Sequence, residues 1–194
     1  MNEERAIVLD YLPQGKSSSF KAEPIAIVLG TSFFTLLEVV PKAGVDLKPL
    51  EEVYIGRESR EKIDHIKQRV PFEQLTMSAK NELAKAVEEV ILKNETRFIQ
   101  FFNSSGSISL KRHQLELLPG VGKQHLEDIL RQRQEKPFES LKDIENRVRF
   151  LPAPLAILRR RVMSELEGDE QHYMFARPPQ TDDELRGPPS RQRR

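Results

Sequence analysis

Residues 118–122, Leu-Pro-Gly-Val-Gly, end one stretch of helical periodicity, and another begins at once. In a helix interior each glycine costs roughly 1 kcal/mol against alanine and proline about 3 kcal/mol. No helix runs through this segment, so the chain must fold back on itself here. Leu115, Leu117 and Leu118 lie before the break, and Leu126, Ile129 and Leu130 follow it. The spacing predicts two short helices over residues 113–133, packed face to face around a turn. Gly120 and Gly122 permit positive φ and let another chain come close. The N–H groups that open the second helix then point outward from a turn without side chains, with the positive end of the helix dipole behind them. Lys123 stands in the first helical turn, where a cation opposes that dipole. A locally unfavourable residue there is explained by something negative to contact. A phosphodiester fits, since it needs N–H donors, close approach and a cation but no base edge.

Charge distribution points to the same segment. Net charge is only +1. Residues 111–165, however, carry twelve Lys/Arg against eight Asp/Glu, while residues 1–56 carry five against eight. A solvated helical surface would show the same excess, so charge alone does not decide. The 194 residues suffice for one large or two small domains. Cysteine is absent, which excludes disulfides, thiol catalysis and cysteine-bound zinc. No apolar run follows the charged "MNEER", and no stretch of about 20 apolar residues occurs. The expectation is a soluble cytoplasmic protein that engages no membrane.

Four short runs rich in Val, Ile, Phe and Tyr (residues 5–12, 24–30, 31–40 and 51–56) are separated by Gly/Pro/Ser turns and read as strands. They predict a small barrel of the OB or SH3-like type over residues 1–56. From Arg57 the period changes. Ile63, Ile66 and Val70 have helical spacing, ended by Pro71. Leu83, Val87, Val90 and Ile91 share one helical face, with Ser78 as the expected N-cap. Phe98, Phe101 and Phe102 fall at i, i+3 and i+4, the spacing of a buried stripe rather than a base-stacking platform. Residues 57–107 are therefore expected as a helical connector packed on the barrel. Helices are expected over 108–118, 122–133, 140–149 and 154–166, forming an all-α domain over 108–168. Residues 169–194 are too polar to order themselves and are expected as a disordered tail. The class is α+β.

"LELLPGVGKQHLEDILRQR" (residues 115–133) resembles a helix-hairpin-helix motif, a binder of nucleic-acid backbone that ignores sequence. Leu118, Pro119, Gly120, Val121, Gly122 and Lys123 match the motif throughout, with Val121 as its buried anchor. "PFESLKDIE" (residues 137–145) is similar to the connector of double helix-hairpin-helix domains. Where a second Gly-x-Gly would fall, "RFLPAP" (residues 149–154) stands instead, and Phe150 and Pro152 are expected to serve packing. The order of small β segment, helices and hairpin resembles the archaeal family known as domain of unknown function 655, whose members are described as RNA-binding proteins with a small OB-like barrel. The resemblance spans roughly residues 1–165 and implies no established reaction.

Other motifs fail. "GKSSS" (residues 15–19) imitates the end of a P-loop, but Asp10 occupies the position that needs glycine. His65, His113, His125 and His172 show no zinc-ligand spacing; His113 and His125 are expected to face solvent or a phosphate. Acidic residues pair with cations along helices, as Glu89 can with Lys93, and no catalytic arrangement stands out. The expected function is therefore non-catalytic binding of nucleic-acid backbone, RNA before DNA, with no cofactor and no metal. The expected contacts are Pro119, Gly120, Val121, Gly122, Lys123, His125, Arg131, Arg159, Arg160 and Arg161. The other reading is a protein–protein module in which the hairpin is structural.

Overall fold

The computed structural model describes residues 3–15 and 23–178. All but Gly15 of the P-loop imitation, and the expected tail from residue 179 on, lie outside the described residues. The chain is α+β and divides into two compact units. One comprises the chain up to Ala79 together with the segment from Glu165; the other is Lys80–Ser164.

The first unit is built on a five-stranded antiparallel sheet, a curled half-barrel. Its strands are β1 (Arg5–Leu12), β2 (Ile25–Gly30), β3 (Leu36–Pro41), β4 (Glu52–Tyr54) and β5 (Ile63–Arg69), in the order β4-β1-β2-β3-β5. Ala6, Val8, Ala26, Val28, Leu37, Val39, Val53 and Ile63 form its core. The expected helix over 57–70 is corrected: this stretch supplies β5. The strand pairs Pro41 with Ile63, Val40 with His65, Val39 with Ile66 and Glu38 with Gln68. It advances two residues against one of β3 twice, so it carries two bulges. Each bulge breaks the alternation by which a strand is read, and Ile63 and Ile66 fall three apart as if on a helix. The expected connector over 57–107 is accordingly no unit, because its first part joins the sheet and its later part the second unit.

Buried carboxylates order two irregular segments of this unit. Glu3 accepts N–H bonds from Ser32 (2.8 Å), Phe33 (3.0 Å) and Thr35 (3.1 Å). It thereby holds the turn before β3, where Phe34 is buried at φ 50°. Glu165, 0% exposed, accepts from Met174 (2.9 Å), Phe175 (2.9 Å) and Ala176 (2.7 Å). Phe175 and Ala176 are buried, and Arg177 N–H donates to the Phe33 carbonyl at 2.9 Å. The expected disorder is thus corrected for residues 169–178. Composition suggests too little apolar surface here, but one aromatic side chain and three charge-assisted hydrogen bonds are enough to fix a short segment.

The second unit carries most of α1 (Met77–Lys93), then α2 (Glu95–Ser104), a hairpin of β6 (Ser107–Ser109) and β7 (Arg112–His113), a 3-10 turn (Gln114–Leu117), α3 (Lys123–Glu135), α4 (Leu141–Arg147) and the larger part of α5 (Pro154–Glu167). Thr76, not Ser78, caps α1: its Oγ1 accepts the Ala79 N–H at 3.1 Å. Leu83, Val87, Val90 and Ile91 are buried as expected, and Glu89 pairs with Lys93 at 2.8 Å. Phe98 and Phe102 are buried and Phe101 is half-buried, so the phenylalanine stripe serves the core. Asn103 exchanges two hydrogen bonds with Phe138, of 2.9 and 2.8 Å, and Ser140 caps α4. These contacts seat the connector between α3 and α4.

Candidate nucleic-acid interface

The helix expected over 108–118 is corrected to the β6–β7 hairpin followed by one 3-10 turn. His113 decides where that turn starts. It is buried rather than facing solvent, and its Nδ1 accepts the Leu115 N–H at 3.1 Å. Glu116 reaches back to accept the His113 N–H at 2.7 Å, completing a capping box. Because Nδ1 must accept, the capping imidazole is neutral. Burial first, and then the Arg133 charge, hold its pKa below the ordinary 6.5, against the pull of Glu116. Well above pH 6.5 folded and unfolded chains are both neutral here. As pH falls below that value the unfolded chain takes up the proton first. Stability therefore declines until pH reaches the lower folded pKa. Thermal unfolding followed from about pH 7.5 to about pH 5 should show this decline, and His113→Gln should flatten it.

Beyond this turn the backbone reverses. Gly120 has φ 88°, a left-handed conformation that glycine adopts without strain. Val121 is buried and its N–H donates to the Leu118 carbonyl at 3.1 Å, which makes it the anchor of the turn. His125 Nδ1 lies 2.9 Å from the Gly120 carbonyl. A carbonyl only accepts, so Nδ1 carries the proton and ties the first turn of α3 back onto the hairpin. Gly122 corrects the expectation of positive φ: at φ −91° and ψ −177° any residue could stand there. A Cβ at Gly122 would meet nothing within 4 Å. As N-cap of the 13-residue α3 it has no side chain to claim the first N–H groups. What glycine supplies here is open space over a helix N-terminus. Lys123 beside it is exposed and makes no ion pair among the described residues.

The other expected cations separate. Arg131 pairs with Asp128, and Arg159 with Glu88. Arg161 is 2% exposed and donates to the Leu117 carbonyl at 3.0 Å, so it supports the hairpin from behind and is corrected from contact to scaffold. Arg160 is exposed. Pro119 is half-buried at the start of the turn. Consecutive positions on a helix point about 100° apart, which is why one of three adjacent arginines is buried while its neighbours are not.

Residues 148–154 form a second turn, and it matches the first. Val148 and Leu151 are buried, as Leu118 and Val121 are. Phe150, between them, takes the place of Gly120 and shares its left-handed backbone at φ 59°. A helix follows each turn, α3 after the first and α5 after the second, with one residue more in the second. The two turns adjoin, since a Cβ built on Gly120 would lie 3.3 Å from Pro152 Cγ. Asp128 on α3 accepts the Arg149 N–H at 3.2 Å. Phe150 does not serve packing as expected: it is 95% exposed. The sequence carried no signal for this, because a left-handed conformation is read only from glycine or asparagine.

The first unit offers a site of its own. A cavity of about 500 Å³ is lined by Thr35, Tyr54, Arg57, Arg60, Arg69 and Arg177, together with Glu3, Glu4 and Glu58. Arg60 is held by the Gly56 and Asp64 carbonyls, at 2.8 and 3.0 Å, and Arg69 by the Pro178 carbonyl at 2.8 Å. Thr35 Oγ1 is buried without a hydrogen-bond partner among the described residues. Four arginines and three glutamates line the cavity, so it carries charge of both signs.

Among the described residues no helix is long and apolar enough to cross a membrane. An uncharacterized protein of Methanocaldococcus jannaschii is 41% identical over 177 residues, covering 90% of this chain and 80% of the relative. The crystal structure of a DUF655 protein of Archaeoglobus fulgidus superposes with a TM-score of 0.84 at 37% identity, covering 90% of this chain and all of that one. The family model described as "protein of unknown function (DUF655)" matches residues 2–177, and the chain belongs to that family.

Proposed function

We propose that this protein binds nucleic acid by its phosphate backbone, with the Pro119–Lys123 segment as a helix-hairpin-helix and the sheet as an OB-like barrel. It reads no base sequence and catalyses no reaction. RNA is the expected partner, and DNA offers the same phosphates. One observation carries the reading. Gly120 holds the left-handed turn, and Gly122 leaves the first N–H groups of α3 uncapped and open, with Lys123 beside them. A phosphate matches that arrangement in charge, size and hydrogen-bonding sense. The basic excess of residues 111–165 supports it.

Titrating two unrelated RNA sequences at two ionic strengths tests the proposal. Affinities should agree within about tenfold between sequences. They should fall steeply with salt, by about 0.7 units of log K per unit of log salt for each phosphate contact on a single strand. Affinities that differ by orders of magnitude between sequences and ignore salt contradict it. The protein–protein reading draws on Leu110, fully exposed at the tip of the β6–β7 hairpin. It requires that the protein fail to bind RNA or DNA even at low salt.

A further inference from the structure

Phe150 is the one aromatic among the large apolar side chains exposed in the described residues. Its position is costly twice over. The ring lies in water, and a bulky residue at φ 59° strains against its own backbone. Glycine, which the matching first turn uses, would avoid both. The fold therefore gains nothing from the ring, and strain kept at an exposed position points to a contact made with something else.

The surroundings define what that contact is. Pro152 places the turn of Phe150 against the turn of Gly120. On the proposed-function reading, on which this inference rests, a phosphate sits at Gly120 and Gly122. The exposed Arg149 precedes Phe150, and its guanidinium makes no bond among the described residues. Lys123 is likewise exposed on the first turn. A partner that meets an aromatic face beside two cations and open N–H groups is apolar and planar in one part and anionic in the next. A nucleotide has that pairing. We propose that Phe150 stacks on an unpaired base of the strand whose phosphate lies at the first turn. The second turn is thus not a degenerate copy of the first but its complement, one holding backbone and the other a base. Since a paired base is already stacked on both faces, the site favours single strands, loops or junctions over continuous duplex.

The experiment titrates a single-stranded RNA containing 2-aminopurine, and a blunt duplex of the same length, against the wild-type protein, Phe150→Ala, Phe150→Trp and Phe150→Gly. Stacking should change the 2-aminopurine fluorescence with the wild type and with Phe150→Trp. Phe150→Ala and Phe150→Gly should lose that signal and bind the single strand about tenfold more weakly, within the range that stacking on an aromatic commands. Duplex binding should change less than twofold. Neither variant should melt lower than the wild type, and Phe150→Gly, relieved of strain, should melt up to about 4 °C higher. Equal single-strand affinity in the wild type and Phe150→Ala, with salt-sensitive binding retained, overturns the stacking role and leaves the phosphate reading in place. A protein partner as the occupant of Phe150 gives that same result. No salt-sensitive binding by any form removes both.

Discussion

Gly122→Ala should leave the protein folded and weaken nucleic-acid binding at least tenfold. The backbone at Gly122 is extended, and a Cβ there meets no protein atom. The fold loses only the difference between glycine and alanine as N-cap, under about 1 kcal/mol. The same methyl stands over the open N–H groups at the start of α3, where a phosphate oxygen must approach within hydrogen-bond distance. Gly120→Ala is a poorer probe. At φ 88° it carries roughly 1–2 kcal/mol of backbone strain and presses on Pro152. Lys123→Ala should act through charge alone, removing about one counterion from the salt dependence. Binding isotherms at two salt concentrations, with thermal melts beside them, separate these effects. If folded Gly122→Ala binds as the wild type while Lys123→Ala abolishes binding, the backbone amides are not the site, and the exposed cations Lys123, Arg149 and Arg160 are.

Removal of the buried Glu165 carboxylate should destabilise the first unit strongly. It accepts three N–H bonds from consecutive residues, 174–176, and is wholly inaccessible. Each hydrogen bond to a charged group contributes about 1.5–3 kcal/mol, and each buried N–H left without an acceptor costs about 1–3 kcal/mol. Water entering the gap recovers part of this, so Glu165→Ala should cost about 3 kcal/mol or more. Glu165→Gln keeps one acceptor oxygen and should cost roughly half as much. Urea unfolding measures the loss. Hydrogen exchange localises it, since the amides of residues 174–176 should lose protection before the sheet does. Unchanged protection there in Glu165→Ala would show that the buried Phe175 and Ala176 and the Arg177–Phe33 hydrogen bond hold the segment without it.

What depends on local pattern was legible in the residues alone. The β1 and β2 runs, the buried stripes of α1 and α2, and the reversal at residues 118–122 follow from hydrophobic period and from the intrinsic preferences of glycine and proline. A residue's own φ range and its neighbours three or four positions away are enough to specify such features. The rest depends on which elements pack together. β5 gave the period of a helix because two bulges shift its side chains, and bulges are set by the partner strand. His113 and Glu116 cap the turn at Gln114–Leu117 together, and helical spacing alone did not reveal that pair or the β6–β7 hairpin before it. Of three adjacent arginines, only packing selected Arg161 for the interior. Glu3 and Glu165 look like surface charge, yet each orders a segment 29 or more and 9 or more residues away along the chain. Phe150 reads as core from its chemistry, and only the folded turn puts it in water. For β5, Arg161, Glu3 and Glu165 the deciding partner lies beyond the reach of local pattern, and local physical chemistry carries no information about which such groups a fold will bring together.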